Sequence, residues 1–247
     1  MKAFRILLKN EGKLSLRGMD MFIFAICMPV VVTVLIGILL GDKPAAEGSP
    51  YTFFEQSFGA ISTIAICAGG VMGLPLLISD YRHRKILKRF QVTPAHPVLL
   101  LGVHAAIYAL YSLASLVLIT VISVLFFNFR LPGSWLSFLG AYLLVMFSMF
   151  SIGFLVGGLA PDSKTAGMIA SLLYFPMLIF SGATLPYEIM PVGMQKAVDF
   201  MPLTQGIALL KTAALGVPFE NAYMAAAVII VIGVICTGLS ISFFKWE

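Results

Sequence analysis

Charged side chains fall in clumps along this chain, and the intervals between the clumps constrain its fold most. Uncharged stretches run over 21–41, 56–79, 90–129, 131–161, 165–187 and 221–244. A bilayer core of about 30 Å is crossed by about 20 helical residues rising 1.5 Å each, and every stretch reaches that length. Barrel strands would need only about 9–11 residues of strict alternation. Runs such as Val30-Val31-Val32 and Leu99-Leu100-Leu101 do not alternate, so helices are expected. Apolar residues are 60% of the 247 and charged residues 11%, against about 25% charged in soluble domains. That balance excludes a soluble enzyme, a disordered chain and a free nucleic-acid-binding domain.

The 90–129 stretch is too long for one crossing. Thr93-Pro94-Ala95-His96-Pro97 breaks it near its start, because proline disfavours helix at the residue before it. No polar turn divides the remainder, so one helix is expected from about Val98 to Phe127. The fold class is then an all-α membrane protein, one domain over 1–247. Its six spans fall at about 21–40, 56–78, 98–127, 135–158, 166–182 and 221–243.

Lysine and arginine set the expected orientation. With the N-terminus inside, Lys2, Arg5, Lys9, Lys13, Arg17, Arg82, Arg84, Lys85, Lys88, Arg89, Lys164 and Lys245 are cytoplasmic, 12 of the 16 cations. Lys43, Arg130, Lys196 and Lys211 lie outside. The positive-inside rule favours this arrangement, with both termini in the cytoplasm of a cell whose plasma membrane holds the protein. The basic flank of the first run and Ala45-Ala46 also fit a cleaved signal peptide, but the run is long for one. A retained span is expected. Cys27, Cys67 and Cys236 sit in apolar runs and imply no disulfide framework.

The polar segments carry more. Residues 1–18 read as an amphipathic helix with Arg5, Lys9, Lys13 and Arg17 in one stripe and Phe4, Leu7, Leu8 and Leu14 on another side. Such a helix lies in the headgroup layer, where membrane lipid is its partner, or serves as a positive-inside anchor. Residues 80–94 read as one cytoplasmic helix up to Thr93-Pro94. It crowds Arg82, Arg84, Lys85, Lys88 and Arg89 beside Ile86, Leu87 and Phe90. Topogenic charge alone does not require the apolar trio. A docking helix for a cytoplasmic partner requires both features.

The outer stretch 183–219 is long for a connection and holds Pro186, Pro191, Pro202 and Pro218 among apolar residues. Short helices half-sunk at the outer face are expected. Glycines recur at spacing four, at Gly37 and Gly41, Gly69 and Gly73, and Gly153 and Gly157. Packing within the chain is the expected use, ahead of a dimer seam.

No span carries Asp, Glu, Lys or Arg in its middle, which disfavours an ion-coupled carrier. An intramembrane serine enzyme needs a histidine near its nucleophile. His104 falls near the inner end of span three and Ser181-Gly182 near the outer end of span five, so that dyad is not expected. His104 reads as interfacial, and Ser62 and Ser112 as packing or cavity hydroxyls. Cysteine and histidine never cluster at metal-ligand spacing, and no G-x-x-x-x-G-K-[ST] loop occurs. Any active work must draw on another chain.

These parts resemble the membrane subunit of ABC exporters of the type-2 permease class. The basic helix ending in Thr93-Pro94 looks like the family's coupling helix. The stretch Phe175-Pro176-Met177-Leu178-Ile179-Phe180-Ser181-Gly182, continuing through Pro186 and Pro191 to Pro202-Leu203-Thr204, looks like its outer signature. The N-terminal helix is similar to its interface helix. Asp80-Tyr81-Arg82-His83-Arg84 replaces the Glu-Arg-rich coupling segment of many members, and Lys211 stands where many carry Arg.

The resemblance implies a transport subunit without its own ATPase site. It implies a second permease copy or paralogue, and cytoplasmic ABC ATPase subunits that bind ATP and Mg²⁺. This chain itself would hold no cofactor, and no nucleic acid is expected. Coupling would fall to Tyr81, Arg82, Arg84, Lys85, Ile86, Leu87, Lys88, Arg89, Phe90, Thr93 and Pro94. A flexible apolar pathway would be lined by Met146, Met149, Phe150, Phe154, Phe175, Met177, Phe180 and Ser181. Gly182, Pro186, Pro191 and Pro202 would form the outer signature. The expected cargo is a hydrophobic or amphipathic compound exported from the cell, with polysaccharide or glycolipid as the alternative.

Overall fold

A computed structural model describes all residues except 1, 42, 45–49, 92–96, 182–189, 217, 219–221 and 245–247. Among the described residues the chain is helical and has no strands. Six helices are long and apolar enough to cross a membrane: Ile23–Leu40, Phe53–His83, Val98–Phe127, Trp135–Leu159, Ser163–Phe180 and Ala222–Phe243. These are the six expected spans. The second and the fifth extend furthest beyond the hydropathy boundaries. The second span continues through His83, and the fifth starts at Ser163 because Asp162 caps it. The Asp162 carboxylate accepts from the Thr165 N–H at 2.7 Å.

The second span is the axis of the bundle, buried along most of its length. A capping box starts it: Thr52 Oγ1 accepts from the Glu55 N–H at 3.2 Å, and the Thr52 N–H donates to Glu55 Oε2 at 2.9 Å. Its centre, Ala68–Gly73, is a π-helical turn. Glycine is needed there because the fourth span crosses it at backbone contact. A Cβ at Gly153 would strike the Gly70 carbonyl, and one at Gly157 would come 2.9 Å from Ile78 Cβ. The spaced glycines therefore serve packing within the chain at this crossing.

Buried polar groups tie the neighbouring spans together. Tyr142 of the fourth span donates to the Ser112 carbonyl of the third at 2.8 Å. Ser112 donates in turn to the Ala65 carbonyl of the second at 3.3 Å and to its own Tyr108 carbonyl at 3.0 Å. Ser62 donates to the Gly59 carbonyl at 2.6 Å. Ser112 thus links two spans, whereas the Ser62 bond stays within the second. Ser151 and Thr237 pair at 2.9 Å between the fourth and sixth spans.

Short helices Val192–Val198 and Pro202–Leu215 precede the sixth span. The second of these enters the bundle. A Cβ at Gly206 would meet Val145 Cγ1 at 3.0 Å, and one at Gly59 would meet Leu210 Cβ at 3.1 Å. Val145 lies ten residues into the fourth span, about 15 Å from its start. Pro202–Leu215 thus climbs from that depth to the end of the bundle where the third and fourth spans are joined. There Gly216 turns through a left-handed φ of 64° and the Gly133 N–H donates to the Ala214 carbonyl at 2.8 Å.

Candidate functional site

The end of the second span is where the expected coupling residues gather, and its local geometry follows from one left-handed corner. Arg84 closes the helix, its N–H donating to the Asp80 carbonyl at 2.9 Å. Lys85 then takes φ 57°, and a separate helix runs Ile86–Gln91. The single helix expected over 80–94 is therefore divided. A left-handed residue ends helices because its carbonyl leaves the i,i+4 ladder.

That corner sorts the side chains. Arg84, Lys85, Lys88 and Arg89 are exposed, as is His83. Arg84 Nε donates to Asp80 Oδ1 at 2.9 Å, a solvent-facing pair of little energetic weight. Leu87 is fully buried in the chain's own core, and Ile86 is half-buried against it. Leu87 is thus an anchor holding the short helix to the bundle and offers no surface to a partner. Phe90 belongs to the short helix, but its side chain lies outside the described residues, as do Thr93 and Pro94.

Arg82 departs most from expectation. It is 6% exposed and turns into the bundle. Its Nη1 donates toward the carbonyls of Gly157 at 3.3 Å, Gly158 at 2.8 Å and Ala160 at 2.8 Å. These are carbonyls that the end of the fourth span leaves unpaired, and a cation there also meets the negative end of the helix dipole. The sequence carried a signal for this. Leu74, Ile78 and Arg82 repeat at i+4 and share the buried stripe of the second span.

The N-terminal helix, Lys2–Gly18, lies against the same region. Tyr81 donates its hydroxyl to Glu11 Oε2 at 3.2 Å, and His104 Nε2 lies 3.5 Å from the same oxygen. The Tyr81 and His104 rings meet edge to face at 5.2 Å. His104 is buried, with Glu11 of the N-terminal helix against it. Ser15 donates to the Tyr111 hydroxyl at 3.2 Å. Phe4, Leu7 and Leu8 pack on the core, whereas Leu14, expected on the same side, is exposed. Tyr81 and His104 stood out in sequence one by one, but Glu11 and the meeting of the three did not, because Glu11 lies 70 and more positions from each partner.

The expected pathway residues do not converge. Met149, Phe150, Met177 and Ser181 are buried within the chain. Met149 and Phe150 pack on Gly70, where a Cβ would lie 2.6 Å from Phe150 Cδ1. Met146 and Phe180 are half-buried and Phe175 is exposed. Phe154 helps to line a cavity of about 300 Å³ with Leu101, Thr237 and Phe244 between the third, fourth and sixth spans. Pro191 precedes Val192–Val198, and Pro202 begins its helix at the position where a missing N–H costs nothing. Gly182 and Pro186 lie outside the described residues. Among the described residues no cluster of three or more His, Cys, Asp or Glu could hold a metal ion.

Six apolar spans, the second a buried axis for the rest, define a multi-pass membrane protein. Residues 2–215 match the ABC-2 type transporter family, and the chain belongs to it, as a membrane-embedded transport subunit. It is also similar to Nodulation protein J of Rhizobium leguminosarum bv. viciae, with 34% identity over 93 residues, covering 38% of this chain and 34% of that protein. Nodulation protein J of R. leguminosarum bv. trifolii is 31% identical over 94 residues and that of Neorhizobium galegae 29% over 94, with the same coverage. The matched stretch spans about a third of the length of these curated relatives.

Proposed function

We propose that this chain is the membrane-spanning permease subunit of an ATP-driven exporter in the plasma membrane, with both termini in the cytoplasm. Its energy comes from a separate cytoplasmic ABC ATPase that binds ATP and Mg²⁺. Two permease copies, or this chain and a paralogue, complete the unit. Within 1–247, residues 1–18 act as interface helix, 80–94 as coupling segment and 183–219 as outer re-entrant segment. The observation that carries the reading is the exposed cluster of Arg84, Lys85, Lys88 and Arg89, presented by the left-handed corner and the short helix at the end of the axial span of an ABC-2 family member. Four exposed cations within six residues suit an acidic cytoplasmic partner. Tyr81, Arg82, Ile86 and Leu87 connect that cluster to the bundle, and Phe90, Thr93 and Pro94 complete the segment.

The cargo in this reading is a hydrophobic or amphipathic compound. Met146, Phe154, Phe175 and Phe180 border the pathway, while the buried Met149, Phe150, Met177 and Ser181 back it from within the chain. Gly182, Pro186, Pro191 and Pro202 shape its outer end. Exposed Phe175, Phe200 and Tyr223 favour a second reading, a polysaccharide or glycolipid cargo, since sugar rings stack on aromatic faces. The test is isolation of the intact complex in mild detergent, followed by identification of its subunits and by uptake into inverted vesicles. An ABC ATPase at unit stoichiometry and ATP-dependent uptake are expected. Transport by this chain alone would overturn the reading.

A further inference from the structure

The N-terminal helix does not sit flush on the bundle. Between it and the third span lies an open apolar groove of about 300 Å³, lined by Leu8, Gly12, Leu16, Phe22, Ile107 and Leu110 among others. Leu16 and Leu110 are more than half exposed at its margin. Its floor on the N-terminal side is a glycine: a Cβ at Gly12 would meet nothing within 4 Å. Such a space, facing a membrane, requires an apolar occupant.

The charge beside it defines the rest of that occupant. Leu8, Gly12 and Leu16 recur every four residues, and Lys9, Lys13 and Arg17 each follow one of them directly. One residue is about 100° around a helix. The cationic stripe therefore runs parallel to the groove, on the side away from the bundle, and all three cations are exposed. On the opposite side of the groove stripe, Glu11 and Ser15 are engaged with Tyr81 and Tyr111, so this helix is held in place and not free to close the gap.

We propose that this groove seats one acyl chain of an anionic phospholipid whose phosphate is held by Lys9 and Lys13. The inference rests on the reading of the N-terminal helix as lying at headgroup level. It does not require the ATPase coupling proposed above. One bound lipid fills the gap, offsets part of the charge of the cationic stripe and mortars the N-terminal helix to the third span.

The purified full chain in detergent, titrated with phosphatidylglycerol or phosphatidylcholine and read by native mass spectrometry, tests this. Wild type is expected to retain one phosphatidylglycerol in preference to phosphatidylcholine. Gly12→Phe fills the groove and abolishes retention of both lipids, whereas Gly18→Phe, also in open space but outside the groove, leaves it unchanged. Lys9→Gln with Lys13→Gln, which alters only exposed side chains, lowers the preference on the order of tenfold. Equal retention of the two lipids by wild type, or unchanged retention in both the Gly12→Phe and the double lysine variants, overturns the proposal. Co-purification of the ATPase, scored on the same samples, reports separately on the exporter reading.

Discussion

Arg82 Nη1 donates to the Gly158 carbonyl at 2.8 Å, so the last turn of the second span is fastened to the last turn of the fourth. Two more carbonyls, of Gly157 and Ala160, face the same nitrogen. A charge-assisted hydrogen bond contributes about 1.5–3 kcal/mol, and removal leaves buried acceptors unpaired. Arg82→Ala is therefore expected to destabilise the chain by about 3 kcal/mol, read as a lower thermal midpoint in detergent. Arg82→Lys, with a point charge and a shorter reach, recovers part of the loss. A melting curve unchanged in Arg82→Ala would show that the contact is idle.

The exposed cations separate docking from stability. Replacing Arg84, Lys88 and Arg89 together by Glu is expected to change stability by no more than about 0.5 kcal/mol per substitution, as for surface positions generally, and so to leave the protein folded. The same variant is expected to lose ATPase co-purification. Normal assembly with the triple variant would remove this face as the docking surface.

At the crossing of the second and fourth spans there is no room for a side chain. Gly153→Leu is expected to cost well over the usual 1–3 kcal/mol of an overpacked core, because the obstacle is the Gly70 backbone. Size-exclusion chromatography should show aggregated or degraded protein. Gly140→Leu in the same span, where a Cβ meets nothing within 4 Å, should elute as wild type.

Orientation can be read chemically. In a background with the three native cysteines replaced by alanine, Lys43→Cys is expected to react with a membrane-impermeant maleimide on intact cells. Arg84→Cys should react only after permeabilisation. Both positions are exposed, so reversed labelling would invert the proposed topology.

The start of the fifth span carries a pH dependence with a definite sign. The Thr165 N–H holds the Asp162 carboxyl below the ordinary carboxylate range. Its stabilisation is complete above the pKa of an unfolded aspartate, about 3.9, and is lost as pH falls through the lower folded value. Asp162→Ala should therefore lower the thermal midpoint at pH 7 and narrow its gap from wild type in acid. Asp162→Asn keeps an oxygen acceptor and should lie between the two.

The six spans were legible because uncharged length and helical rise are properties of the chain alone. Spaced glycines announced close crossings for the same reason. The site was only half legible. Charge counting marks residues 82–89 as a cationic group but cannot tell which cation turns inward. Arg82 needs carbonyls 75 to 78 positions away, and Leu87 needs the core it anchors in. A cation at i+8 from Leu74 on a buried stripe was the available clue. The left-handed corner at Lys85 gave none, since lysine has no preference for that conformation. Glu11, Tyr81 and His104 meet only through tertiary packing, and the dispersal of the methionines and phenylalanines between core and surface likewise depends on it.

The stitch from the Gly133 N–H to the Ala214 carbonyl has a mechanical corollary. Helix Pro202–Leu215 stands like a wedge between the second and fourth spans, and this bond pins its top to the hairpin joining the third and fourth. Any widening at that end must drag the hairpin along or snap the pin. Movement of that helix end is thereby geared to the tilt of two neighbouring rods instead of being left to a loose flap.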